Sequence, residues 1–198
     1  MIIISPSLAS ANQLMLNKAI QMAESHGCAD IHLDIEDGNF IPNITFGEKT
    51  VRAVCDGTHL PLSFHLMVMQ QMRWLEIVSR YRPRIVFGHL EAIDYPRAFI
   101  GLARQLGVRC GIALNPRTPV ELLEPYISDL EGILLLSVEP DGIGEHFMPV
   151  VYQRITAVRQ LSPSVEIWVD GNITGDKLTP IGECGATHAV MGRDFYQR

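Results

Sequence analysis

Three ionisable side chains alternate along a short apolar segment near the start of this 198-residue chain. The segment runs from Ile31 to Glu36, and its polar members are His32, Asp34 and Glu36. Side chains at alternate positions of a β-strand share one face, so we expect these three groups to converge. An imidazole and two carboxylates on one inward face are costly unless they bind something. The pattern therefore predicts a binding site.

Further polar side chains lie near the ends of later apolar segments. His65 shares its strand parity with Met67, and Asp170 ends another segment. A single His at such a position is more often a hydrogen-bonded core residue than a ligand. Two imidazoles and two carboxylates that converge are a different case, because divalent transition metals accept this ligand set. The candidate metal ligands are His32, Asp34, His65 and Asp170.

Two other features have two interpretations each. His89 and Glu91 are either a satisfied polar pair at a strand end or a support for the metal ligands. Glycine-containing turns follow the last three predicted strands, at residues 141–144, 171–172 and 192–193. Small residues let backbone N–H groups approach a phosphate, and barrels bind phosphate in their last loops. Glycine is also the default turn residue, so a simple turn is the commoner explanation of each one taken alone.

Eight apolar segments must position these residues. They recur at intervals of roughly 20 to 30 residues and alternate with helical periodicity, which is typical of repeated βα units. We predict a (β/α)8 TIM barrel in a single domain over residues 1–198, with the last helix absent or truncated. The predicted strands are 2–5, 30–35, 62–68, 84–91, 109–114, 132–138, 166–170 and 188–191. The predicted helices are 11–25, 48–54, 70–81, 95–106, 120–127, 150–161 and 177–183.

Composition favours a small-molecule partner. The net charge is −6 and no run of Lys or Arg occurs, which argues against nucleic acid and against anionic membranes. The apolar runs are too short to span a bilayer, and the first residues lack the features of a secretory signal. The four cysteines are dispersed and suggest no disulfide framework. We expect a cytoplasmic protein, and a homo-oligomer in which a second copy covers apolar surface beside the first and eighth strands.

The residues of several segments, and the order of those segments, resemble a known family. The segments are 5–8, 32–47, 61–68, 89–91, 113–116, 118–119 and 169–171. They resemble the ribulose-phosphate 3-epimerase family from end to end, and the stretch from His32 to Gly47 is long and very specific.

The resemblance implies roles for these residues. His32, Asp34, His65 and Asp170 would bind one divalent metal ion, which is zinc, iron, manganese or cobalt, and Ser7 would contact the substrate. Asp34 and Asp170 would be the acid–base pair that inverts C3 of a ketose phosphate through an enediolate. One aspartate removes the C3 proton, and the other returns a proton to the opposite face. The partner would be a ribulose 5-phosphate-like pentulose phosphate or a hexulose phosphate.

The chain also departs from the family pattern. The family usually has methionine where this chain has Glu36 and Leu136, glycine where it has Asn172, and a small residue where it has Arg193. The fold and metal ligands are unaffected, so we expect a divergent member that acts on a different phosphorylated ketose. The residues expected to contact substrate are Ser7, Glu36, Met67, Gly144, Gly171, Asn172, Gly192 and Arg193.

Two other classes of protein remain open. A metal-independent barrel of the decarboxylase or isomerase kind would normally place a lysine at a strand end, and no predicted strand supplies one. A non-catalytic sugar-phosphate-binding barrel would account for the altered phosphate loops, because a fold alone does not fix chemistry. Metal content distinguishes the first class from a metal-dependent epimerase. Exchange of the substrate's C3 hydrogen with solvent distinguishes the second.

Overall fold

Strands and helices alternate along the chain in the predicted order. The computed structural model describes residues 2–142 and 146–197. The strands are β1 (Ile3–Pro6), β2 (Ile31–Glu36), β3 (Leu62–Met67), β4 (Ile85–His89), β5 (Cys110–Leu114), β6 (Gly132–Leu136), β7 (Glu166–Asp170) and β8 (His188–Met191). The α-helices of the described residues are α1 (Leu16–Ser25), α2 (Glu48–Gly57), α3 (Gln71–Ser79), α4 (Pro96–Gln105), α5 (Val150–Leu161), α6 (Leu178–Glu183) and α7 (Arg193–Tyr196).

The eight strands form one parallel sheet whose two ends meet. Hydrogen-bonded neighbours follow the order β1-β8-β7-β6-β5-β4-β3-β2. A parallel bridge between Ser7 and His32 joins the β1 end of this sheet to β2. The arrangement confirms the predicted (β/α)8 barrel, in which the carboxyl ends of all strands open at the same rim.

Apolar side chains fill both the barrel interior and the layer beneath the helices. Phe87 and Trp168 are fully buried in the interior cluster, and their ring centroids lie 5.2 Å apart. A Cβ atom at Gly111 would lie 2.3 Å from the Phe87 ring, so only glycine fits opposite it. Leu33 and Ile35 of β2 are fully buried in the outer layer, as their strand parity predicts. The alternation leaves the inward positions of β2 to polar residues.

The structure differs from one helix prediction and agrees with another. The predicted helix 120–127 is wrong, because the chain forms only 3-10 turns at Val120–Leu123 and Ile127–Asp129. Pro125 has no N–H to continue a helical ladder, which explains the interruption. The last helix of the described residues, α7, has four residues, in agreement with the predicted short last helix. Phe195 of this short helix is nevertheless buried, and its ring centroid lies 5.5 Å from that of His26.

Phe195 belongs to the main core cluster, whereas Ile3 of β1 is 37% exposed. The expected homo-oligomer stays a prediction. No helix in the described ranges is long and apolar enough to cross a membrane.

Candidate active site

The four predicted metal ligands meet at the carboxyl end of the barrel. Each contributes one ligand atom, and these atoms all lie within 4.8 Å of one another. His65 Nδ1 lies 3.2 Å from Asp34 Oδ1 and 3.2 Å from Asp170 Oδ2. Asp34 and His65 are direct cross-strand partners on β2 and β3, whereas Asp170 comes from β7. The barrel thus joins residues that are distant in the sequence.

The environment of His32 fits a metal ligand. Its ring is fully buried, and Nδ1 lies 2.9 Å from Ser63 Oγ, which in turn donates to the Ile31 carbonyl. Nε2 is buried without a hydrogen-bond partner and lies 3.4 Å from Asp34 Oδ1. A buried ring nitrogen without a partner is costly. An ion held between His32, His65 and the two carboxylates would satisfy it, and mixed nitrogen and oxygen ligands suit divalent transition metals.

The charges of the candidate ligands favour a positive charge between the two aspartates. Burial lowers the pKa of His65, but hydrogen bonds to Asp170 and Asp34 outweigh burial and raise it to about 9. Burial likewise raises the pKa of Asp34, and the neighbouring His32 and His65 outweigh that effect and hold it below its usual range. The Ser7 hydroxyl donates to Asp34 Oδ2 at 2.5 Å. A cation between the carboxylates would supply the charge that this site attracts.

His89 and Glu91 lie directly behind His65. His65 Nε2 is 2.8 Å from His89 Nε2, and His89 Nδ1 is 2.9 Å from Glu91 Oε2. Glu91 Oε1 accepts hydrogen bonds from the Asn115 backbone at 2.7 Å and from the Thr118 hydroxyl. Burial raises the pKa of Glu91, but His89 and these donors outweigh burial and lower it to about 2. The pair is a satisfied polar pair that also contacts a candidate ligand.

A cavity of about 330 Å³ opens above the ligands. Asp34 and Asp170 lie on its surface, together with residues of the loops after β1, β6, β7 and β8. Gly144 was predicted to contact substrate and lies outside the described residues. The other predicted substrate contacts all line the cavity, namely Ser7, Glu36, Met67, Gly171, Asn172, Gly192 and Arg193. Lining residues that the sequence analysis missed include Ser10, Ile41, Asn43, Val138, Glu139 and Asp194.

Glu36 faces the cavity, as its strand parity predicts. Its Oε2 accepts a hydrogen bond from Asn43 Nδ2 at 2.6 Å. Burial and the charge of Asp34 raise the pKa of Glu36 to about 7. Asn43 reaches Glu36 because the chain turns back after β2, where Gly38 adopts a φ of +74° and its N–H bonds to the Asn43 carbonyl at 2.8 Å. The glycine after the strand was the sequence signal for this turn.

The glycines of the last loops have packing roles. Gly171 has a φ of +113°, and a Cβ atom there would lie 2.6 Å from Val138. A Cβ atom at Gly192 would lie 2.2 Å from Ser10 Oγ. Asn172 adopts a φ of +48°, a conformation that asparagine tolerates better than most residues, so it keeps the backbone form that glycine would provide. These backbones line the cavity, where an anion could approach them.

Fold and site together define a class: a (β/α)8-barrel protein with a buried two-histidine, two-aspartate centre at the rim where barrel enzymes carry their chemistry. Residues 3–196 match the family described as the ribulose-phosphate 3 epimerase family. The chain belongs to the ribulose-phosphate 3-epimerase family, and the resemblance drawn from its motifs is confirmed.

Curated relatives extend over nearly the whole chain. A ribulose-phosphate 3-epimerase of Bacillus subtilis is 34% identical, covering 99% of this chain and 93% of the relative. One from Synechocystis is 34% identical over 96% of this chain and 86% of its own length. The chloroplastic ribulose-5-phosphate-3-epimerase of Arabidopsis thaliana is 32% identical over 96% of this chain and 70% of its own length.

Solved structures confirm the fold more widely. A mutant tryptophan synthase alpha-subunit from Pyrococcus furiosus superimposes with a TM-score of 0.73 at 13% identity, covering 98% of this chain and 87% of that chain. The tryptophan synthase complex from the same organism gives a TM-score of 0.69 at 13% identity, covering 96% of this chain and 87% of that chain. At this level of identity the likeness concerns the fold alone.

Proposed function

We propose that this protein is a metal-dependent epimerase that inverts C3 of a ketose phosphate, either a ribulose 5-phosphate-like pentulose phosphate or a hexulose phosphate. The observation that carries the proposal is the convergence of His32, Asp34, His65 and Asp170 within 4.8 Å beneath an open cavity. Relatives named ribulose-phosphate 3-epimerase match almost the entire chain, which supports the same type of reaction here.

The donor atoms available to a divalent ion are His32 Nε2, His65 Nδ1 and the carboxylates of Asp34 and Asp170. Zinc, iron, manganese and cobalt all accept such a mixed set, so the ligands alone do not select one. When bound, such an ion offsets the negative charge that develops on substrate oxygens as a proton is removed beside a carbonyl group.

Asp34 and Asp170 are the proposed acid–base pair. Their strands are separated in the barrel by β1 and β8, so the two carboxylates approach the cavity from different directions. One carboxylate takes the C3 proton and leaves the substrate as an enediolate. The other, in its protonated form, gives a proton to the opposite face of C3, and the configuration inverts. The Ser7 hydroxyl, which donates to Asp34 Oδ2, orients that carboxylate.

The substrate phosphate would bind in the loops after β6, β7 and β8. Backbone N–H groups at Gly171 and Asn172 and the guanidinium of Arg193 are donors of the right kind in residues that line the cavity. Gly144 and Gly192 remain proposed contacts of the same group. Ser7, Glu36 and Met67 would contact the sugar portion, because they follow or end strands on the other side of the rim.

The test of this mechanism is Asp170→Asn, assayed for epimerisation of a ketose phosphate at saturating metal. Removal of a general acid or base typically costs a factor on the order of 100 or more, and we expect at least that loss with the fold retained. Asp34 can still remove a proton from its own face of C3. The rate of hydrogen exchange at C3 of one epimer should therefore fall less than the rate of epimerisation. Asp176→Asn, at a side chain that is 80% exposed, is the matched control. Near-normal turnover in Asp170→Asn would refute the two-aspartate mechanism.

A further inference from the structure

A continuous chain of buried hydrogen bonds runs away from the candidate metal centre. It starts at His65 Nε2, passes through both nitrogens of His89, and reaches Glu91. The two imidazoles are fully buried and stack with their centroids 4.9 Å apart. Glu91 is in turn held by the loop after β5, through the Asn115 backbone N–H and the Thr118 hydroxyl.

The direction of each hydrogen bond in this chain can be assigned. A backbone N–H only donates, so Glu91 Oε1 accepts from Asn115, and a carboxylate also accepts at Oε2. His89 Nδ1 therefore carries a hydrogen and donates it to Glu91. A neutral imidazole has one donor and one acceptor, so His89 Nε2 accepts and His65 Nε2 donates. When a metal ion takes the place of the Nδ1 hydrogen that bonds to Asp34 and Asp170, both 3.2 Å away, His65 is left with a lone pair on Nδ1.

We propose that Glu91 and His89 are positioning residues that fix the tautomer of His65, so that its Nδ1 lone pair faces a divalent metal ion. The inference rests on the metal site of the proposed function. It assigns a purpose to two polar groups that are neither proposed ligands nor part of the cavity lining. A carboxylate that orients a histidine ligand usually changes metal affinity by about 10- to 100-fold, and here one further imidazole transmits the effect.

A buried arginine fixes the loop at the far end of this chain of hydrogen bonds. Arg154 of α5 donates through Nη2 to the carbonyl oxygens of Asn115 at 2.8 Å and Thr118 at 2.9 Å. The loop that holds Glu91 is thus fixed from the opposite side, which keeps its donors directed at Oε1. Positioning of this kind requires such rigidity, because a loose supporting group would not hold one tautomer.

Glu91→Gln is a sharp test because the two oxygens of Glu91 have different partners. The amide oxygen of the substituted side chain would take the place of Oε1, where the Asn115 backbone N–H requires an acceptor. The amide NH2 would then face His89 Nδ1 and donate to it. The chain of hydrogen bonds would reverse, and His65 would carry its hydrogen on Nδ1, where it opposes metal binding.

The measurement is zinc affinity by competition with a chromophoric chelator, for the parent, Glu91→Gln and the control Glu76→Gln. Glu76 is an exposed residue of α3, so this control removes the same charge far from the site. We expect affinity about 10- to 100-fold weaker in Glu91→Gln and unchanged in Glu76→Gln. Two-bond ¹H–¹⁵N correlation spectra of the zinc-loaded parent should show hydrogen on His65 Nε2 and on His89 Nδ1.

The outcomes distinguish the proposed metal site from the proposed positioning role of Glu91 and His89. A parent that binds no zinc overturns the metal site and the positioning role with it. A parent that binds zinc while Glu91→Gln binds it equally well overturns only the positioning role. Spectra of the zinc-loaded parent with hydrogen on His89 Nε2 would do the same, and they test the inference even where the variant fails to fold.

Discussion

Glu36 is a carboxylate at a position where the resemblance to the family leads us to expect methionine. Glu36 lines the cavity together with Asp34 and Asp170, and Asn43 holds one of its oxygens at 2.6 Å. A carboxylate accepts hydrogen bonds from sugar hydroxyl groups, which a thioether does only weakly. We therefore infer that this position governs which ketose phosphate the site prefers.

The variant Glu36→Met should shift the substrate profile toward ribulose 5-phosphate while leaving metal content unchanged. Above pH 7, where Glu36 is mostly ionised, a hydrogen bond to its charged carboxylate is worth about 1.5 to 3 kcal/mol, which corresponds to roughly a tenfold to hundredfold change in preference. The measurement is kcat/KM for parent and variant across a panel of ketose phosphates. Identical rankings would show that specificity lies elsewhere, with the phosphate loops as the next candidates.

Strand parity was sufficient to predict which side chains of β2 lie together. His32, Asp34 and Glu36 alternate along β2, and all three face the same end of the barrel as expected. The contact between Asn43 and Glu36 was not predictable in this way, because it depends on the turn after β2. The link from His89 to His65 was likewise left open, since only the barrel shows that β3 and β4 bring the two rings together.

A second polar cluster lies at the amino ends of the strands, opposite the candidate site. His188, at the start of β8, stacks on Trp168 with centroids 4.1 Å apart and rings inclined by 1°. Arg84 Nη2 lies 2.7 Å from His188 Nε2, and the guanidinium lies over the Trp168 ring at 5.4 Å. Arginine only donates, so His188 accepts and must be neutral. Asp30, fully buried, lies 3.7 Å from Arg84 and balances its charge.

This cluster predicts a pH dependence of stability. Burial lowers the pKa of His188 to about 4, with Glu166 and Asp30 raising it and Arg84 and Arg109 lowering it. The ordinary value for histidine is about 6.5, so between these values the unfolded chain binds the extra proton. The contribution of His188 is therefore complete above about pH 6.5 and is lost as the pH falls toward 4.

Urea unfolding at pH 7.5 and at pH 5 measures this effect. His188→Gln keeps an acceptor for Arg84 and cannot be protonated, so its free energy of unfolding should fall less between the two pH values than that of the parent. Glu166 and the other carboxylates titrate in both proteins, and the comparison cancels them. An equal fall in parent and variant would contradict the assignment of His188 as the acid-sensitive group.

Element predictions succeeded where periodicity was strong and failed where a local breaker acted. All eight strands appear within a few residues of their predicted bounds, because each is a short apolar segment between helical segments. The helix predicted at 120–127 has suitable apolar spacing but is interrupted at Pro125. The burial of Phe195 in the core could be seen only in the three-dimensional structure.

For the molecule as a whole, the alternation of eight strands with helical segments predicted the barrel, and the barrel predicted which residues meet. Asp170 lies beside His65, 105 positions earlier in the chain, only because parallel strands end at one rim. The substrate could not be predicted as closely. Its identity depends on the detailed shape of the loops that line the cavity, including those of Asn172 and Arg193.

Exchange of the C3 hydrogen with solvent deuterium is the sharpest test of the proposed epimerase activity. The metal-loaded protein is incubated in heavy water with a panel of pentulose and hexulose phosphates, and C3 is followed by proton NMR. This activity predicts deuterium at C3 of at least one ketose phosphate, together with the appearance of its C3 epimer, and neither after removal of the metal. A metal-loaded protein that binds these compounds and leaves both the hydrogen and the configuration at C3 unchanged would contradict it.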